Sequence, residues 1–188
     1  MIAQEEFAKA FIMLLVKEEI VHLTPPVLRA INDHSCKHLV GIILDYIIMH
    51  CDTWEEAETT IRNDIDMGDC FPIEVISAME LLRYEKIGRW ETGHGVYVGD
   101  FNFDAKAHRI GKGMKDRRKQ DALYVRIGRD GRVSSTPHTI SEDETRDEFE
   151  RAGRYKSFFD TVLNEGVTSY RYDKAMAELK FLFETHRS

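Results

Sequence analysis

Three short stretches carry residue types that can do chemistry. His34-Ser35-Cys36-Lys37-His38 is the most metal-like, with His50-Cys51 and Cys70 further along. On a helix His34 and His38 share a face and Cys36 points elsewhere. A closed zinc site needs four convergent ligands, usually with paired short spacings such as C-x2-C. No such pair occurs in the chain, so ordinary helix-flanking polar residues are expected here and no metal. Asp100-Phe101-Asn102-Phe103-Asp104 begins like a calcium loop, but Ala105 and Gly111 stand where that loop requires glycine and a bidentate glutamate. Its alternation fits the end of a strand, with Phe101 and Phe103 on one face. Gly111-Lys112-Gly113 lacks both the spacing and the hydroxyl of a phosphate loop.

Nucleophilic chemistry has no local signature either. There is no G-x-S-x-G, and Ser134-Ser135 with His138 fall in a stretch rich in turn residues. The reading leans away from an enzyme, with no catalytic residue, no metal and no cofactor assigned. A small enzyme with a site that leaves no such signature stays open.

Charge is distributed unevenly. Residues 1–104 hold 8 Lys/Arg against 19 Asp/Glu, residues 105–132 hold 10 against 3, and residues 133–188 hold 8 against 11. These blocks are net −11, +7 and −3 within a chain of net −7. Lys112, Lys115, Arg117, Arg118 and Lys119, with Tyr124 as a stacking aromatic and Arg126, form a candidate site for anions or nucleic acid. The alternative is a solvated loop, or one paired with the protein's own acids. Glu55, Glu56, Glu58, Asp64 and Asp66 form a candidate acidic surface for a partner's basic groove.

The elements that position these residues read as α+β, mainly helical. Gln4 to Ile20 is an amphipathic helix with Phe7, Ala10, Phe11, Leu14 and Leu15 inside and Glu5, Glu6, Lys17 and Glu18 outside. Thr24 caps a helix opening at Pro25. A break falls around Asn32–Ser35, and Leu39 to Met49, apolar nearly all round, lies at the centre of the N-terminal fold. Thr53-Trp54-Glu55-Glu56 is a capping box opening a helix that ends near Gly68. A helix from Pro72 then stops at Gly88, and Arg89–Glu91 and Val96–Val98 form a hairpin around Thr92–Gly95. Three helices and a hairpin in sequence look like a winged helix.

After Asp104 a mobile basic loop leads into a second hairpin: Leu123–Ile127, a turn over Asp130-Gly131, then Arg132-Val133. Ser141–Glu144 is a second capping box. The helix it opens carries Phe149, Ala152, Tyr155, Phe159, Val162 and Leu163 inward and finishes at Asn164–Gly166, and a last helix runs near Tyr172 to Thr185. The expected organisation is therefore a helical unit over 1–104 and a second unit over 105–188, in which a small sheet packs on two C-terminal helices.

At 188 residues, 43% of them hydrophobic, the chain is long enough for a sizeable core. Three cysteines and an N-terminus with acids ahead of its apolar residues indicate reduced thiols and a cytoplasmic location, without a membrane span. The leading expectation is a non-enzymatic binding or regulatory protein acting through protein or nucleoprotein contacts. In type it is similar to phage-encoded inhibitors of host nucleic-acid machinery. The alternative is a winged-helix DNA or RNA regulator using residues 106–132. Between Pro72 and Glu91 that helix offers Arg83, Lys86 and Arg89 against Glu74, Glu80, Glu85 and Glu91, a poor balance for facing phosphates.

Overall fold

The computed structural model describes residues 2–50, 72–94, 102–113, 124–136, 141–165 and 179–183. It is mainly helical. Helix α1 (Ile2–Lys17) lies along α3 (His34–His50), and α2 (Pro25–Asn32) connects them. Thr24 caps α2 by accepting from the Val27 N–H at 3.4 Å, and the chain turns extended at Asp33 before α3 begins. Both features match the sequence reading. Helix α1 ends because Glu19 takes a left-handed conformation (φ 58°) that lets Ile20 and Val21 donate to the Leu15 carbonyl.

The hub is α3. Leu39, Val40, Ile42, Ile43, Leu44 and Ile47 are buried, and helices pack on it from several sides. At Gly41 the helices approach closely: a Cβ there would stand 2.6 Å from the buried Gln4 amide of α1, and the Gly41 carbonyl accepts from Tyr155 Oη.

Helix α4 (Ile73–Glu80) continues without a break into a π-helical stretch, Leu81–Gly88, and a last α-helical turn, Arg89–Thr92. This corrects the expected hairpin. Gly88 keeps helical angles (φ −60°, ψ −39°), and the helix stops instead at Gly93 with φ 72°. Arg29 stacks over Trp90 at 4.6 Å, and the chain's first strand of the expected wing is thus helix. Its second strand, Val96–Val98, lies outside the described residues, as does the capped helix from Thr53.

Helix α5 (Ala105–Gly111) replaces the expected start of a mobile loop. Asp104 caps it, its carboxylate accepting from the N–H groups of Lys106 and Ala107 at 2.8 and 2.9 Å. Ala107 and Ile110 are buried, and Lys106 pairs with Glu74 of α4 at 2.6 Å. Residues 102–104 are accordingly a helix entry rather than a strand end, with Phe103 stacked on His108.

The second hairpin forms where expected. Strands β1 (Arg126–Ile127) and β2 (Val133–Ser135) pair antiparallel, with Ile127 opposite Val133 and Gly131 at φ 74° in the turn. Its apolar side chains are not packed under α6: Tyr124, Val125, Ile127 and Val133 are all exposed, and the expected last helix near Tyr172 to Thr185 lies largely outside the described residues.

Helix α6 (Glu142–Glu165) opens on the Ser141–Glu144 box, with both reciprocal bonds at 3.2 Å. Tyr155, Phe158, Phe159 and Val162 enter the core against α1 and α3, but Phe149 and Leu163, expected inward, are 79% and 63% exposed. The last described element is a 3-10 turn, Leu179–Leu182, which buries Leu182 and, next to it, Phe183. One buried cluster therefore draws on residues from both sides of the charge boundary near 104.

Candidate functional site

Glu5, placed outside by the helical pattern, is the most deeply buried carboxylate among the described residues at 1% exposure. It turns toward the start of α3, where a helix's positive end favours an anion. Its Oε2 receives Lys37 Nζ at 3.2 Å and lies 2.6 Å from His34 Nδ1, and its Oε1 lies 3.3 Å from His38 Nε2. Positions 34, 37 and 38 fall on one helix face. The expected pairing of His34 and His38 on one face is present, and the carboxylate between them is what the sequence concealed.

Cys36 does point elsewhere. It is buried, its N–H donates to the Asp33 carboxylate at 2.9 Å, and burial, then Asp33, push its thiol well above the usual range. A thiol held neutral is a poor metal ligand and a poor nucleophile. Among the described residues no group of three His, Cys, Asp or Glu side chains is placed to hold a metal ion. The Glu5 cluster is an ion-paired clasp between α1 and α3.

The second candidate surface is the hairpin with its neighbours. Lys112 is exposed at the end of α5, Tyr124 is 67% exposed, and Arg126 lies in β1 opposite Ser135. Arg129 and Arg132, which the sequence reading did not single out, are exposed in and beside the turn, and Asp130 holds the turn by accepting from the Arg132 N–H at 3.1 Å. Lys115, Arg117, Arg118 and Lys119 lie outside the described residues, and so do Glu55, Glu56, Glu58, Asp64 and Asp66.

An acidic surface that the sequence reading missed is the first half of α6. Glu142, Asp143, Asp147 and Glu150 are exposed around Phe149, and Arg146 pairs with Glu142 and Asp143, each at 3.6 Å. Comparison with known proteins finds no match: no family model, no curated protein and no solved structure resembles the chain closely enough to carry an assignment. Among the described residues no helix is long and apolar enough to cross a membrane.

Proposed function

We propose that this is a non-enzymatic binding or regulatory protein that engages an anionic partner, nucleic acid or nucleoprotein, through the 124–136 hairpin and the basic segment before it. One observation carries the reading: a hairpin outside the core leaves Tyr124, Val125, Ile127 and Val133 more than half exposed beside Arg129 and Arg132. Arginines neutralise phosphates while an exposed aromatic stacks on bases, and this combination suits single strands. A reduced cytoplasmic protein is the matching location, with Cys36 a free buried thiol.

The second reading, an acidic surface that docks in a partner's basic groove and competes with nucleic acid for it, is supported by the acidic first half of α6. An inhibitor of a nucleic-acid machinery would act in this way. The winged-helix alternative has less support, because Arg89–Thr92 are helical where a wing needs a strand.

Fluorescence anisotropy with a labelled single-stranded oligonucleotide, across a salt series, tests the leading reading. Arg129→Glu with Arg132→Glu is expected to weaken binding about tenfold or more and to lower the salt slope by about 1.5. Tyr124→Ala is expected to weaken binding with the slope unchanged. No binding by the parent chain, or binding indifferent to all three changes, overturns it.

A further inference from the structure

The hairpin and the first half of α6 are both exposed, and their chemistry is opposite. Residues 142–150 hold six carboxylates against Arg146, a net of −5, around Phe149. Residues 124–136 hold three arginines against Asp130, a net of +2, around Tyr124, Val125, Ile127 and Val133. Neither surface covers the other within one chain, since Phe149 is 79% exposed and Ile127 63%. Nine helical residues span about 13 Å, and the hairpin sets its apolar side chains on both strands, Ile127 of β1 opposite Val133 of β2.

The first half of α6 is a stiff arm. Its end is closed by the Ser141–Glu144 box, its first turns by the Arg146 ion pairs, and its far half is fixed in the core by Tyr155, Phe158 and Phe159. A preordered aromatic ringed by charge has the character of an interface anchor, because little conformational freedom is lost when it docks.

We propose that the chain forms a reciprocal dimer, in which the 142–150 arm of one copy lies on the 124–136 hairpin of the other. Phe149 covers Ile127 and Val133, and the flanking carboxylates face Arg129 and Arg132. A two-fold axis makes this contact twice and closes the assembly. A stable interface buries about 1,200–2,000 Å² in all, so each of the two contacts supplies about half. A second copy is the occupant because this chain carries both complementary faces. The dimer does not rest on nucleic-acid binding, although an anionic partner would compete with it for the hairpin.

Sedimentation velocity on the full chain alone tests the proposal. The parent is expected to show a monomer–dimer equilibrium that shifts toward monomer between low salt and roughly 0.5 M salt, as exposed opposite charges are screened. Arg129→Glu with Arg132→Glu, or Asp147→Lys with Glu150→Lys, is expected to weaken self-association about tenfold or more. Asp147 and Glu150 lie beyond the first turn of α6, so their reversal leaves the helix cap alone. An equimolar mixture of the two altered proteins is expected to dimerise again, because one contact then joins an unaltered arm to an unaltered hairpin and the other sets the reversed positions against each other. A parent that stays monomeric at high concentration, or a mixture that stays monomeric while the parent dimerises, overturns the proposal. Loss of oligonucleotide binding alone would leave these sedimentation results unchanged.

Discussion

The Glu5 cluster and the α6 arm use the same residue types under opposite conditions. In the cluster one carboxylate is held by Lys37, His34 and His38, with Glu5 and Lys37 almost out of contact with water. In the arm, Glu142 and Asp143 meet Arg146 at 3.6 Å with all three side chains more than half exposed. Water decides what each arrangement is worth. Exposed pairs contribute about 0–1 kcal/mol, since solvent and salt supply most of what the partner would. A buried pair adds little beyond its own desolvation, but removing one member leaves an uncompensated charge and costs about 3–5 kcal/mol. The cluster therefore fixes how α1 meets α3, whereas the arm's Asp147 and Glu150 stand exposed to solvent.

The sharpest way to break this contrast is to remove one member from each set. Lys37→Met is expected to lower stability by about 3 kcal/mol or more, read as a fall in the urea midpoint with the slope retained. Arg146→Met on the arm is expected to change stability by no more than about 0.5 kcal/mol. Adding Glu5→Leu to Lys37→Met is expected to recover part of the loss, because the stranded carboxylate goes with its partner. If Lys37→Met costs as little as Arg146→Met, the cluster is solvated and the contrast collapses.

A second test compares the two halves of α6 through their aromatics. Phe158 is 3% exposed, tilted against Phe11 of α1 and edge-on to Phe159. Phe158→Ala is expected to cost about 3–5 kcal/mol, from lost transfer energy and the cavity left behind. Phe149→Ala is expected to stay within about 0.5 kcal/mol. Denaturation curves of the two variants at low protein concentration check this, since self-association would otherwise add to the parent's stability. A large loss for Phe149→Ala in the monomer would mean that the arm packs on its own chain.

These two halves also show how far the sequence could be read. Features set by neighbours in sequence were legible: the Thr24 cap, the Ser141–Glu144 box, the Asp130-Gly131 turn, and the apolar identity of α3. Features set by distant residues were not. Glu5 sits among surface-type residues on α1, and its partners lie 29 or more positions away. Phe149 continues the apolar stripe of α6, but periodicity specifies a face and not where the opposing helix ends. Arg89–Thr92 followed a glycine and contained a β-prone tryptophan, yet Gly88 tolerates helical angles as easily as any others. The π-helical stretch before it, packed by Leu81, Leu82 and Ile87, carries the helix through to Gly93.

A smaller loss than those of Lys37→Met and Phe158→Ala concerns Tyr155, the first deeply buried aromatic of α6 after the arm. Its hydroxyl donates to the Gly41 carbonyl at 3.2 Å, and burial, then the nearby Asp45 carboxylate, push its ionisation well above the ordinary value. In the unfolded chain the phenol ionises near pH 10, while the folded protein keeps the proton. Below that pH both states are protonated and the group adds no pH dependence. As pH rises past about 10 the unfolded state binds fewer protons than the native one, so stability falls. Tyr155→Phe is expected to cost about 1 kcal/mol at neutral pH, through the lost hydrogen bond to Gly41. Because phenylalanine has no proton to release, the variant lacks this part of the alkaline decline. Urea midpoints of parent and variant measured from about pH 8 to pH 11 are therefore expected to converge as pH rises. Parallel curves would mean that the hydroxyl ionises as easily in the native protein as outside it, and that the junction between arm and core is open to water.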